Sequence, residues 1–582
     1  MNRKKLLIFI FIVAIYFMPV FGQDSIFRRE VTVEREYVPV IKEAGKINLT
    51  PKLYEPQVEK LSPVYTEFYL PLPVETNIHP LQAIEFSLQQ EPLKNGYAKM
   101  GWGNYYNSLL DFAYPFIKKE DMYLDFTVHH LSTYGNKWHT TSDASLFFNK
   151  DFKNLDFFTG VNGSYERLKY YGNNFNLDSI VDLKQLAGNY PSAIYLPTDK
   201  EQPIFSYSLK ELSELNRFNT FWRGNIYGGV QSKSNTSDIQ YVGKLDYSFL
   251  NAGRGSKEHQ ILLSGKFQIP YNDNKLGLDA DLLQLNYNSK VTDSTNIENS
   301  YSVFIIHPYY DYHSDKFRAR LGIQSAFSFE EKGFLHLYPD IQAEWQPFPT
   351  WMAIYGGITG NYQVNSRSKI LKENCFADAY LKVNDTFTPF EGYLGIKLKP
   401  AELFFVDAFI DYQHINNQYF FINKEFISND MTEPNNHLFI NRFDVTYSKT
   451  DLLRSGLRLS YHLQDRFSCE LKGVYNDWQV SDEPYAWNKP KWEADMNLHA
   501  SLASNIHLSA KIFYQSGRYA KLEKKTILMK SAFDVNMGIS YNYSRFLTVF
   551  AKVNNFFNSS YQYFYGYDVQ GTNFLLGVAL SF

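Results

Sequence analysis

Phe533-Asp534-Val535-Asn536-Met537-Gly538-Ile539-Ser540-Tyr541-Asn542-Tyr543 places an apolar side chain at every second position and a polar or small one between. Successive side chains of a strand point to opposite faces, so this stretch predicts a strand with one greasy and one wet face. The same split recurs along the chain. Phe317, Ala319, Leu321 and Ile323 oppose Arg318, Arg320, Gly322 and Gln324. Leu453, Leu457, Leu459, Tyr461 and Leu463 oppose Arg454, Gly456, Arg458, Ser460 and His462, and Ile261, Leu263, Phe267 and Ile269 oppose Leu262, Ser264, Lys266 and Gln268. Runs of about 10–13 residues exceed the usual globular strand and match a tilted membrane crossing.

Connection lengths carry a second, independent rhythm. Short links at 151–153, 313–315, 347–350, 401–402, 464–465, 504–505 and 544–545 alternate with longer ones at 170–215, 363–388, 415–437, 517–531 and 556–572. Short turns on one side and long loops on the other characterise outer-membrane barrels. The expectation is an all-β fold: a transmembrane, antiparallel, up-and-down β-barrel of about 22 strands, an even number as closure of a single chain requires. It occupies residues 97–582, with Leu438 to Leu463 taken as one long, bulged strand. A soluble propeller would show a repeat of roughly 40–50 residues, and none is found.

Composition agrees. Aromatic residues make up 17% of the chain, with 45 Tyr and 48 Phe against 8 Trp, which suits the aromatic girdles of a membrane barrel. The formal net charge is −3 with no basic block, so nucleic acid has no electrostatic footprint as a partner. Cys375 and Cys469 are the only cysteines, too few for a disulfide framework.

The N-terminus predicts export. Arg3, Lys4 and Lys5 precede an apolar core from Leu6 to Phe17, and Pro19 to Gly22 leads to a cleavage point before Gln23. Residues 1–22 are thus expected to be a signal peptide, and the outer membrane of a Gram-negative cell is the expected location, with its lipid as surroundings. Residues 23–96 are expected to be extended or irregular, because Pro39, Pro51, Pro56, Pro63, Pro71, Pro73 and Pro80 punctuate them. Within this segment Val31, Val33, Tyr37 and Val38 form a β-prone stretch that could add as a strand to a periplasmic or lipoprotein partner, or fold back into the lumen.

The chain closes on Asn573-Phe574-Leu575-Leu576-Gly577-Val578-Ala579-Leu580-Ser581-Phe582. Phe574, Leu576, Val578, Leu580 and Phe582 share one face, and an unpaired edge in lipid is prohibitively costly, so this strand must pair with the first. An aromatic last residue resembles the signal read by the barrel-assembly machinery. Upstream stand Val553-Asn554-Asn555-Phe556-Phe557-Asn558, Tyr561, Gly566-Tyr567 and Gln570-Gly571-Thr572. This succession resembles the C-terminal end of TonB-dependent receptors, with Gln570-Gly571-Thr572 in place of Pro-Gly-Arg. The resemblance implies a receptor-like barrel engaged in uptake of a solute or glycan. The family's plug domain has no recognisable counterpart in residues 23–96, so the chain is read as plugless.

Chemical motifs are absent: no His-Glu-x-x-His, no Gly-x-Ser-x-Gly, no phosphate-binding glycine loop and no Cys/His spacing for a metal. The chain is therefore not expected to be an enzyme, and no cofactor or metal is implied. Arg318, Arg320, Arg454 and Arg458 are the candidate lumen-lining residues, with acids such as Asp246, Asp534 and Asp125 as expected partners. Trp102, Trp138, Trp222, Trp351, Trp478, Trp487 and Trp492 would suit glycans, although girdle positions are the default for aromatics. The loop from Tyr170 to Leu215, with short helices expected at Leu177–Ala187 and Tyr207–Leu215, is the candidate cover for the barrel mouth. Against transport stands a second function: a non-conducting envelope scaffold or assembly accessory that holds a periplasmic partner through its N-terminal segment.

Overall fold

In the computed structural model, the alternating runs become a ring of paired strands. The structure describes residues 96–172, 194–195, 206–207, 218–233, 239–253, 256–292, 295–329, 334–379, 381–427, 437–463, 466–522 and 525–582. The signal peptide, nearly all of the 23–96 segment, and the candidate residues Val31, Val33, Tyr37 and Val38 lie outside them.

The first wall strands are β1 (Tyr97–Gly103), β2 (Ser108–Lys119), β3 (Met122–Thr133), β4 (His139–Asp151) and β5 (Leu155–Lys169). Next come β6 (Phe218–Ser232), β7 (Gln240–Asn251), β8 (Ser256–Tyr271), β9 (Asn274–Thr292), β10 (Thr295–His313) and β11 (Phe317–Ser328). The ring continues with β12 (Leu335–Phe348), β13 (Met352–Gln363), β14 (Thr386–Ala401), β15 (Phe404–Ile427), β16 (His437–Leu463) and β17 (Phe467–Val480). It finishes with β18 (Trp492–Ala503), β19 (Ile506–Ser516), β20 (Ala532–Asn542), β21 (Leu547–Asn554) and β22 (Asn573–Ser581). Each pairs antiparallel with its neighbour, and β1 pairs with β22, from Tyr97 opposite Ser581 to Gly103 opposite Leu575, so the 22-strand barrel is closed. Closure removes the free edges that lipid would not tolerate.

β16 is a single strand, and its irregularities are local. Between Asn423 and Glu425 of β15 the register jumps on the β16 side from Phe443 to Phe439, a bulge within β16. A second shift between Ile415 and Gln418 places the extra residue on β15, where Asn417 adopts a φ of 56°. The long link expected at 415–437 is corrected accordingly. β15 continues through residue 415 to Ile427, because the bulge absorbs the break in alternation that had suggested a loop.

The two faces separate as the alternation demands. On β8, Ile261, Leu263, Phe267 and Ile269 are exposed, and on β12, Leu337, Ile341 and Trp345 are exposed, as are Phe533, Met537, Ile539 and Tyr541 on β20. Such a continuous exposed apolar belt has no counterpart on a soluble monomer, and it places the barrel in the outer membrane. Tyr271, Tyr312, Phe348, Trp351, Tyr543, Phe546 and Phe582 are exposed beside the short turns, while Trp102, Trp222, Trp492 and Phe557 are exposed at the long-loop end. These are the two interfacial girdles. Trp102, Trp222, Trp351 and Trp492 therefore stand outside the barrel, where no lumenal glycan would meet them.

The inner row of β12 is Tyr338, Asp340, Gln342, Glu344 and Gln346, stitched by Gln342 donating to Asp340 at 2.6 Å and Gln346 donating to Glu344 at 2.7 Å. The wall facing the bore is polar.

Candidate functional site

The mouth at the long-loop end is crossed by residues 364–385, which join β13 to β14 and fold inward. Asp385 and Asn365 fasten the base of this lid. Asp385 accepts from Tyr301 at 3.0 Å, from Tyr362 at 2.8 Å and from the Asn365 backbone at 3.0 Å. Asn365 in turn donates to the Asn384 carbonyl at 2.9 Å and to Thr386 at 2.8 Å.

From this base the chain enters a short helix, α1 (Arg367–Glu373), capped by the Ser366 hydroxyl accepting from the Lys369 backbone at 3.1 Å. The Glu258 carboxylate of β8 accepts from the Arg367 backbone N–H at 2.7 Å, satisfying another of the donors that a helix start leaves open. The Arg367 guanidinium donates to the Leu381 carbonyl at 3.1 Å and to Ser256 at 3.2 Å, and Ser256 donates to the Ala379 carbonyl at 2.7 Å. The entering and returning arms of the lid are thus both held to the start of β8.

Beyond α1 the lid reaches the far side. Ile370, Leu371, Phe376, Ala377, Ala379 and Leu381 share one buried cluster with Leu168 of β5, Phe221 of β6, Phe421 of β15 and Phe443 of β16. In a ring of 22, β5 and β16 stand eleven places apart and are opposite walls. One apolar core holding both means that the lid spans the bore.

Backbone pairing fixes the far end. Asp378 donates to the Phe443 carbonyl at 2.9 Å and Phe443 donates back to the Phe376 carbonyl at 3.2 Å. Phe443 stays paired with Asn423 of β15, but β17 pairs with β16 only from Thr450 to Leu463, so the other edge of Phe443 is open to the lid. Glu373 pairs with Lys489 at 2.9 Å and accepts from the Tyr419 hydroxyl. Burial alone would raise the Glu373 carboxyl, but Lys489 and Tyr419 outweigh it and hold the group below its ordinary value.

The C-terminal succession that resembles TonB-dependent receptors forms the seat of the lid. Tyr567 stacks on Phe376 with ring centroids 3.5 Å apart. Gly566, at a φ of 90°, supplies the turn beneath it, a conformation that side chains rarely adopt. Asn555, fully buried, donates to the carbonyls of Ser559 and Gln570, both at 2.9 Å, and so sets the shape of the loop. Tyr561 donates to Asp534 at 2.9 Å, and Gln570 donates to Thr133 at 2.7 Å.

The sequence-predicted residues fall elsewhere. Arg320 grips Asp311 with two bonds of 2.6 and 2.9 Å, Arg454 donates to Asp411 at 2.7 Å, and Arg458 lies 3.7 Å from Glu470. Arg318 stands on the same inner row as Arg320, opposite His313 and Glu344. None of the acids expected as partners is used for these pairs. Asp311 and Asp411 are the direct cross-strand neighbours of Arg320 and Arg454, and strand register, which sequence spacing does not reveal, makes the choice. Phe574, Leu576, Val578, Leu580 and Phe582 are all exposed on the outer face of the closing strand. The loop expected to cover the mouth, 170–215, is described only at residues 170–172, 194–195 and 206–207. Tyr170, Tyr171 and Gly172 reach the lid and its seat, with Tyr171 donating to the Asp568 carbonyl at 3.0 Å.

Reading the sequence missed the lid as a site. The long 363–388 link was its only signal. A group where the lid meets the wall went unremarked: His139, Glu166 and Cys375, all buried, offer donor atoms within 4.8 Å of one another. Burial pushes the Cys375 thiol well above its ordinary value.

No protein-family model and no curated protein sequence matches the chain. Its fold is shared with solved structures. The siderophore receptor PirA from Acinetobacter baumannii superposes with a TM-score of 0.60 at 11% identity, covering 84% of this chain and 80% of that one. The copper transporter OprC gives 0.58 at 11% identity over 84% and 82% of the two chains. The pyoverdine receptor FpvA from Pseudomonas aeruginosa PAO1 gives 0.59 at 10% identity over 85% and 79%. At such low identity the likeness is one of fold: the chain carries a closed 22-strand barrel like those of these outer-membrane receptors.

Proposed function

We propose that this protein is an outer-membrane transport barrel whose extracellular mouth is shut by residues 364–385, and that a solute enters only when this lid leaves its seat. The observation that carries the reading is the coexistence of a polar inner wall with a single apolar core that joins the lid to opposite sides of the bore. A gated conduit uses both a wetted wall and a closure across the bore, whereas a scaffold needs neither. The receptor-type fold supports uptake as the direction of transport. The segment 23–96 would meet a periplasmic partner on the other side, and the outward row ending at Phe582 would be read during barrel assembly.

Replacement of residues 366–384 by a short Gly-Ser linker tests the proposal. In a planar bilayer the parent chain should conduct rarely, and the variant should show steady openings. A variant that stays closed while still migrating as a folded barrel would sink the lid reading and favour the scaffold. A parallel deletion of Gln23–Pro80 addresses the tail. Openings in that variant alone would move the closure from the lid to the N-terminal segment.

A further inference from the structure

Where the lid meets the wall of β4 and β5, three side chains of different chemistry converge from separate parts of the chain. His139 opens β4, Glu166 lies near the end of β5, and Cys375 follows α1 in the lid. His139 Nε2 stands 2.9 Å from Glu166 Oε1. Glu166 Oε2 accepts from Arg223 of β6 at 2.7 Å. All three donor atoms lie within 4.8 Å of one another, and His139, Glu166 and Cys375 are respectively 5%, 3% and 3% exposed.

We propose that His139, Glu166 and Cys375 form a binding site for one borderline divalent cation of the zinc(II) type, which ties the lid to the wall. An imidazole, a carboxylate and a thiolate are the donor types that such a cation accepts, with a water or lumenal group as the fourth ligand. Tetrahedral bonds of about 2.0–2.3 Å put neighbouring donors about 3.3–3.7 Å apart. Metal binding would draw the thiol in by up to roughly an ångström and open the 2.9 Å His139–Glu166 contact slightly.

The charges are compatible. Arg223 engages Oε2 at 2.7 Å, and Oε1, which faces His139 Nε2 at 2.9 Å, is the oxygen the metal would take in place of that hydrogen bond; the guanidinium fixes the carboxylate plane as an outer partner does in other metal sites. As the metal–sulfur bond forms, the Cys375 proton leaves to water. The His139 ring binds through Nε2, so the proton that Nε2 shares with the Glu166 carboxylate is displaced and the neutral ring carries its proton on Nδ1 instead. Two negative ligands then offset the divalent charge. The ordinary alternative is a Glu166 carboxylate neutralised by Arg223, with the thiol as a bystander. That arrangement binds no metal, so the two are separable.

The test uses the full chain in detergent with its thiols reduced, and cobalt(II) as a spectroscopic stand-in for zinc(II). Metal is added to the folded chain and, separately, during refolding. The expected result is one cobalt per chain with a thiolate-to-cobalt charge-transfer band, displaced by zinc. Cys375→Ser and His139→Gln should each weaken zinc binding at least tenfold in chelator competition, and Cys375→Ser should lose the band. Cys469→Ser, the control for the other thiol, should keep both. Heat-modifiable gel migration confirms that each variant is folded. Absence of the band from the parent chain under both conditions overturns the proposal, as does a band that survives Cys375→Ser. The readout is metal binding, so it stands or falls apart from the conductance of the barrel.

Discussion

Glu373 shows how a single side chain can set the hold of the lid. It receives Lys489 at 2.9 Å and the Tyr419 hydroxyl, and its carboxyl is held below the ordinary 4.5 despite burial. A carboxyl depressed on docking contributes stability at pH above the free value, and the contribution disappears as pH falls through the docked value. The lid should therefore loosen below about pH 4.5. Hydrogen exchange across residues 367–379 should accelerate there in the parent chain. In Glu373→Gln, exchange should already be faster at neutral pH and lose this acid dependence. Equal acid dependence in both would assign the effect to another group. No sequence spacing indicates this contact, since Glu373, Tyr419 and Lys489 lie on a lid, a strand and a loop.

At the scale of elements, the seam between β1 and β22 decides whether the barrel closes. Gly101 and Gly577 are cross-strand partners, and the ring of Phe550 on β21 lies over both. A Cβ on Gly577 would stand 2.1 Å from the Met100 carbonyl oxygen and 2.4 Å from the Phe550 ring. A clash with backbone is not relieved by turning a side chain, so Gly577→Val should impair closure. Its folded fraction, read from heat-modifiable migration after refolding, should fall well below the parent's. Gly163→Ala, at a wall glycine whose Cβ would meet nothing within 4 Å, should refold as the parent does. The outward row of β22 was legible from alternation. The glycine pair was not, because its meaning depends on which strand lies opposite.

At the scale of the whole molecule, the lipid belt sets where a charge is tolerated. Leu457, midway along the membrane-crossing part of β16, is 44% exposed on the outer face, and Leu463 is 38% exposed beside the short turn. Arginine on the lipid face costs about 2–4 kcal/mol at the bilayer midplane and about 0–1 near the interface. Unfolding in lipid vesicles should give Leu457→Arg the larger cost and Leu463→Arg the smaller one. Equal costs would mean that this face does not look onto hydrocarbon. Strand count, bulged β16 and the rhythm of short and long links were all readable, since each is a local pattern repeated down the chain. The one misjudged link, 415–437, is where a bulge interrupts the pattern on β15.

The sequence by itself determined a two-faced ribbon of strands, long enough to cross a membrane and even in number, because a side-chain period of two is written residue by residue. Only the tertiary structure decided what the ring encloses. The lid across the bore, the acids that Arg320 and Arg454 choose, and the meeting of Cys375 with Glu166 across about two hundred residues of chain all follow from curvature and register. Those quantities exist only once the last strand has found the first.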